Sequence, residues 1–187
     1  MIILGIDPGS RFLGFAAVSL EKDILKPIEY GVLKFDSKED LSTRLFEIGD
    51  GVRDLLEAYK PEHVSLEKIF LGKNADSAFK MGHARGVVIY QCLAFGATVY
   101  EYATRVVKKG ITGQGSAQKE HVRHVVQNLL KIPPVKSLDA SDALAMACYH
   151  ASQLKHLQLK YLQSKNLQPK NLKLRSEDQR PMQKELE

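Results

Sequence analysis

The chain opens with a continuous apolar run, Ile2-Ile3-Leu4-Gly5-Ile6, that ends abruptly in Asp7-Pro8-Gly9. A short run of this kind, stopped by Pro-Gly, predicts a buried strand ending in a turn, and a strand apolar on both faces belongs at the centre of a sheet covered on both sides. Residues 11–20 are rich in aromatic and apolar positions and predict a second strand hairpinned onto the first. A third follows in which Ile28, Tyr30 and Val32 alternate with polar or small neighbours, and Leu33 and Phe35 lead to a turn near Asp36-Ser37. From about Asp40 to Tyr59 the apolar residues Leu41, Leu45, Ile48, Val52, Leu55, Leu56 and Tyr59 recur at steps of three and four, the period of an amphipathic helix. Pro61 stops it, and residues 63–67 predict a fourth strand, which a β-helix-β crossover places parallel to the first.

Residues 68–73 read as a loop carrying exposed Ile69, Phe70 and Leu71. The next helix, about 74–93, is capped by Asn74 or Asp76, and its apolar and small residues cover so wide an arc that burial on more than one side is expected. A fifth strand spans 97–102. A basic turn region with Arg105, Lys108 and Lys109 follows, then a glycine-rich stretch, 110–115, that can let backbone approach a ligand. Ser116 is the expected N-cap of a helix that Pro133-Pro134 stops, and a last helix starts near Leu138. Beyond about Leu154 the composition changes to Lys, Gln, Asn and Leu, predicting a frayed helix passing into a disordered basic tail. The fold class is α/β: a mixed five-stranded sheet, three antiparallel strands and then two parallel ones, with helices on both faces. One domain is expected over 1–154, with a tail over 155–187.

Composition changes this picture little, since 187 residues at 44% hydrophobic and 26% charged suit one cored domain. No apolar run is long enough for a membrane span, so no membrane association is expected, and Cys92 and Cys148 have no framework spacing, which points to the cytoplasm. Charge is more informative, because the net +5 is unevenly divided. Residues 1–67 carry 8 Lys/Arg against 13 Asp/Glu, whereas residues 68–136 carry 11 against 3. The middle of the chain can attract a polyanion, and the acidic flanks must hold something positive or face away.

Candidate chemistry lies in those acidic flanks. Asp7 ends the first strand, where it either caps the turn or faces a ligand at the strand end. Glu67 ends the fourth strand in the same way. Asp139 and Asp142 are one helical turn apart at the start of the last helix, where acidic residues also serve as simple dipole partners. The combination favours chemistry, because carboxylates gathered together raise one another's pKa unless divalent cations neutralise them, and oxygen-only ligands suit Mg²⁺ or Mn²⁺. His121 and His124 lack the rest of a zinc ligand set and read as surface residues.

These residues stand in a longer ordered set: Gly5-Ile6-Asp7-Pro8-Gly9-Ser10-Arg11, Glu67 before a Phe-bearing loop, Lys73-Asn74-Ala75-Asp76-Ser77-Ala78, Ala84-Arg85-Gly86, Val107-Lys108, Gly113 to Lys119, and Asp139-Ala140-Ser141-Asp142-Ala143-Leu144-Ala145. Over roughly residues 1–152 the chain resembles the RuvC Holliday-junction resolvases of bacteria, which have the RNase H-like fold. The resemblance implies a crossover junction endodeoxyribonuclease that makes paired symmetric nicks with 5′-phosphate products in recombination and repair. It implies Asp7, Glu67, Asp139 and Asp142 as catalytic, metal-holding carboxylates, with two Mg²⁺ per site and Mn²⁺ able to substitute. Lys108 and Lys119 would contact DNA near the scissile phosphate, Phe70 would stack on a junction base, and Lys73 and Arg85 would join the DNA contacts. The implied partners are four-way junction DNA, a second copy of the chain, and the RuvA and RuvB branch-migration proteins. The Asp-Pro-Gly-Ser turn also resembles the phosphate loop of actin-like ATPases, but no second loop follows. A non-catalytic binder of the same fold would be expected to have lost a carboxylate, and a hybrid-specific ribonuclease would lack dimeric junction recognition.

Overall fold

The computed structural model describes residues 1–68 and 75–166, with side chains described as far as Leu154. Five strands, β1 (Ile2–Asp7), β2 (Phe12–Glu21), β3 (Ile24–Lys34), β4 (His63–Glu67) and β5 (Thr98–Tyr102), form one sheet in the order β3-β2-β1-β4-β5. The β1–β2 and β2–β3 pairs are antiparallel, and β1–β4 and β4–β5 are parallel, as the crossover rule requires. The helices are α1 (Leu41–Tyr59), α2 (Ala75–Phe95), α3 (Thr104–Thr112), α4 (Lys119–Leu130) and α5 (Leu138–Asn166). No described helix is long and apolar enough to cross a membrane.

Strand alternation sorts the two faces. Leu4 and Ile6 of β1 and Val64 and Leu66 of β4 pack with Ile48, Val52 and Leu56 of α1 and Val88 of α2. On the other face Ile3, Ala16 and Val18 meet Val122 and Val126 of α4 and Ala143, Leu144 and Ala147 of α5. Along β1 the residues that share the α5 face are therefore Ile3, Gly5 and Asp7.

Helix α5 lies unusually close to the sheet. A Cβ added at Gly5 would fall 2.1 Å from the carbonyl oxygen of Ala143, and one at Gly14 would fall 2.1 Å from that of Asp139. Both glycines are needed because backbone, not side chain, occupies the space above them. Further along α5, His150 is buried and shares hydrogen bonds with Tyr102 Oη (2.7 Å) and His63 Nδ1 (2.9 Å), while Ser65 Oγ donates to the Met146 carbonyl (3.1 Å). Burial, with His63 adding to it, pushes the His150 pKa down to about 4, so the ring sits there uncharged.

The structure corrects several local expectations. The stretch read as a basic turn is helix α3, in which Val107 is buried. Two of its glycines serve the helix itself: a Cβ at Gly110 would meet the Tyr149 ring at 2.3 Å, and Gly113 (φ 80°) is the left-handed C-cap. Helix α4 starts from Gln118 instead of Ser116, with no side-chain cap. Helix α5 continues past Leu154 to Asn166, and residues 167–187, the rest of the expected tail, lie outside the described residues. Of α2 only Ala84, Val88 and Cys92 are buried, so its wide apolar arc is left open on one side.

Gly14→Ala is expected to lose at least about 1–3 kcal/mol of stability in urea unfolding, because a new methyl displaces the α5 backbone. A variant of wild-type stability would mean that α5 does not rest on β2 as described.

Candidate active site

Register places the first two carboxylates. Ile6 of β1 pairs with Leu66 of β4 in a parallel ladder, so the next residues, Asp7 and Glu67, end adjacent strands on the same face. Neighbouring strands lie about 4.8 Å apart, which leaves two acidic side chains side by side. Helix α5 supplies the third. With Ala143 seated on Gly5, Asp142 is carried over the end of β1, and Asp7, Glu67 and Asp142 line one cleft with Thr104, Val107, Lys108, Val122, Ala145 and Met146.

The electrostatics follow from this crowding. The Asp7 pKa is raised to about 8, first by burial and then by the charges of Glu67 and Asp142, with a hydrogen bond to Glu67 adding to the shift and Lys119 opposing it. Lys119 Nζ donates to Asp142 Oδ2 at 2.6 Å. Burial disfavours the Lys119 charge, but Asp142, Asp7 and Asp139 outweigh it and hold the ammonium above its usual range. Lys119 is thus the resident counter-ion of the cluster. Lys108 Nζ, on the cleft wall, donates to the Ala117 carbonyl at 2.8 Å and so ties α3 to the segment leading into α4.

Other side chains orient the acidic groups. Thr104 Oγ1, at the first turn of α3, donates to Glu67 Oε1. Arg85, only 15% exposed, pairs with Glu101 and donates from Nε to the Glu67 carbonyl at 3.1 Å, so its guanidinium is engaged inside the protein and fixes the end of β4. Asp139 stands apart from the cleft, on the wall of a separate groove beside β2 and β3, although its charge still acts on Lys119.

The donor set suits a hard divalent cation: oxygen ligands only, excess negative charge, and a cleft of about 20 Å³, room for a body the size of a water molecule. Among the described residues no three such side chains stand as a finished cage, and Lys119 holds one Asp142 oxygen. A cation bound to that oxygen has to displace the ammonium.

The structure therefore brings together Asp7, Glu67, Asp142, Lys108 and Lys119, sets Asp139 one turn away, and gives Arg85 an internal partner. Phe70 and Lys73 lie in 69–74, outside the described residues. Thr104 does not stand out in the sequence, because the stretch that follows it reads as a turn and the structure makes it α3. Its signal was present in Val106, Val107, Gly110 and Ile111, which repeat at helical spacing after a strand.

Comparison with known proteins bears on this site. The family model described as "Crossover junction endodeoxyribonuclease RuvC" matches residues 3–150. A protein of that name from Bdellovibrio bacteriovorus is 52% identical over 155 residues, covering 83% of this chain and 92% of its own length. Among solved structures, Thermus thermophilus RuvC superposes with a TM-score of 0.76 at 31% identity, covering 83% of this chain and 96% of that one. The T. thermophilus protein in complex with Holliday junction substrate matches with the same TM-score at 28% identity and the same coverage.

A raised carboxyl pKa has a defined sign in stability. Folded Asp7 keeps its proton up to about pH 8 while the unfolded residue loses it near 3.8, so its contribution is present below the lower value and is lost as the pH rises to the upper. In EDTA, Asp7→Asn is expected to melt a few degrees above the wild type at pH 8, with the gap closing toward pH 4. Parallel melting curves across that range would contradict the crowding of Asp7.

Proposed function

The chain belongs to the RuvC family of crossover junction endodeoxyribonucleases, and on that premise we propose that the acidic cleft at the ends of β1 and β4 is where it cuts DNA. It is a nuclease that resolves Holliday junctions. The single observation that carries the assignment of the site is the convergence of Asp7, Glu67 and Asp142 on one cleft, where burial and then the neighbouring charges raise Asp7 to about 8.

We assign Asp7, Glu67 and Asp142 as residues that would hold Mg²⁺, two ions per site with Mn²⁺ able to substitute, and add Asp139, one helical turn from Asp142, from the family resemblance. Bound there, the cations supply Lewis-acid stabilisation of the phosphoryl oxygens and a more acidic water as nucleophile. The chain's own groups do the rest. Thr104 holds Glu67 in one orientation, and Arg85 fixes the strand end that carries it. Lys119, bonded to Asp142, would carry its charge to the scissile phosphate once Asp142 holds a cation instead, and Lys108 on the cleft wall would add a second positive charge. The products are 5′-phosphates and 3′-hydroxyls. Phe70 is assigned to stack on a junction base and Lys73 to meet a phosphate, from the family resemblance. The basic tail adds phosphate contact without sequence preference.

The working unit we propose is a two-fold dimer. Its support is the open face of α2, where Ala78, Phe79, Gly82, Gly86 and Tyr90 line an apolar groove of about 660 Å³ and Phe79 and Tyr90 are 69% and 70% exposed. A Cβ added at Gly82 or Gly86 would meet nothing within 4 Å, so a partner helix can come close. An isologous pair sets two identical sites against the two symmetric strands of a junction. The family also implies action with RuvA and RuvB in the cytoplasm.

On a synthetic four-way junction in Mg²⁺, replacing Asp7, Glu67 or Asp142 by its amide is expected to slow cutting at least about a hundredfold while junction binding persists. An Asp7→Asn protein that cuts at the wild-type rate would overturn the site. Sedimentation equilibrium at micromolar protein is expected to give twice the 20.9 kDa chain mass, and Tyr90→Lys to lower it and uncouple the paired incisions. A wild-type mass near that of one chain would defeat the dimer.

A further inference from the structure

The acidic cleft is not the only concavity at the N-terminal end of α5. On the opposite flank, over β2 and β3, lies a groove of about 660 Å³ whose lining includes Phe12, Tyr30, Val32, Lys34, Lys136 and Asp139. Register explains its floor. Phe12 pairs with Lys34, Gly14 with Val32 and Ala16 with Tyr30, so all six stand on the face that carries α5. Helix α5 covers Gly14 and Ala16 but starts too late to cover Phe12, which remains 51% exposed. Lys136, on the segment entering α5, forms the far wall, and neither Lys34 nor Lys136 has an ion-pair partner among the described residues.

From the nuclease reading given above, on which this inference rests, we propose that the groove is a binding site for a nucleotide of the cleaved strand next to the scissile phosphate, its base against Phe12 and Tyr30 and its phosphate between Lys34 and Lys136. Three observations support DNA as the occupant. The groove neighbours the cutting site, because Asp139 on its wall stands one helical turn from Asp142, which lines the cleft. Its position is right, since the centre of the β2–β3 pair is two strand spacings, about 10 Å, from that of the β1–β4 pair. That is the reach of one or two nucleotides of extended backbone. Its chemistry is also right: an exposed aromatic accepts the face of any base, and unpaired lysines flank it where a phosphate must pass. Asp139 is the single acidic group in the lining and belongs to the helix that also carries Asp142, whereas Lys34 and Lys136 supply the positive charge of the groove.

The test uses the full chain and a four-way junction in EDTA, where binding is read without cutting, and in Mg²⁺, where cutting is read. Phe12→Ala is expected to weaken junction binding about tenfold and Phe12→Trp to restore it, with little change in melting temperature in either variant. Lys34→Ala combined with Lys136→Ala is expected to lower the slope of log affinity against log salt by about two. Photolysis of junctions carrying 5-iodouracil beside the cut is expected to crosslink to Phe12 or Tyr30. Wild-type affinity and salt slope in these variants, with crosslinks elsewhere, would overturn the groove while leaving the nuclease intact. A wild-type chain that never cuts the junction would overturn the nuclease reading instead. A change in sedimentation mass without a change in salt slope would mean that the groove holds a second copy of the chain, and would also overturn the proposal.

Discussion

The contact on which the structure depends is the seating of the α5 backbone directly on β1 and β2. At Gly5 and Gly14 no side chain separates helix from sheet, and the Ala143 and Asp139 carbonyls occupy the space a methyl would need. A helix normally stands off a sheet by about 10 Å because side chains from both surfaces fill the gap. Removing those side chains lowers the helix, and lowering it brings Asp142 onto the strand ends that carry Asp7 and Glu67. Small residues on the helix side, Ala140, Ala143 and Ala147, complete the fit. Two to three turns further along, the helix is held by hydrogen bonds to β4 and β5, through Ser65, His63, Tyr102 and buried His150. Both anchors lie on the face of the sheet opposite α1 and α2, so the position of the acidic cluster is set by one helix and four strands.

This closeness works against stability. Three carboxylates share one cleft, and burial together with the charges of Glu67 and Asp142 raises Asp7 to about 8. Lys119 offsets part of the rise by its bond to Asp142. The same lysine answers the question that the uneven charge distribution raises: the acidic opening and the acidic start of α5 face a cation drawn from the basic middle of the chain. A site strained by like charge binds divalent cations more strongly than a relaxed one, since cation binding removes the repulsion.

Much of this was legible in the residues. The apolar run into Asp7 and the crossover to Glu67 fixed two adjacent strand ends, and helical spacing joined Asp139 to Asp142. The ordered motif set led to the family, and the mixed sheet with helices on both faces is as expected. What escaped was whatever depends on packing between elements. Helix α3 is short, and its Arg105, Lys108, Lys109 and Gly110 run into further glycines that read as a basic turn, whereas Gly110 instead accommodates the Tyr149 ring. Arg85 reads as a free cation until Glu101 is seen beside it. Asp139 and Asp142 look equivalent at one-turn spacing, yet the packing of α5 gives Asp142 to the cleft and Asp139 to the neighbouring groove.

The most direct test of the account is anomalous scattering from Mn²⁺ in crystals of the full chain bound to a four-way junction. The account predicts a peak bonded to Asp7 and shared with Glu67 or Asp142, with the Lys119 ammonium moved from Asp142 toward a DNA phosphate. Mn²⁺ bound away from Asp7, or Lys119 still paired with Asp142 beside an ordered scissile phosphate, would contradict it.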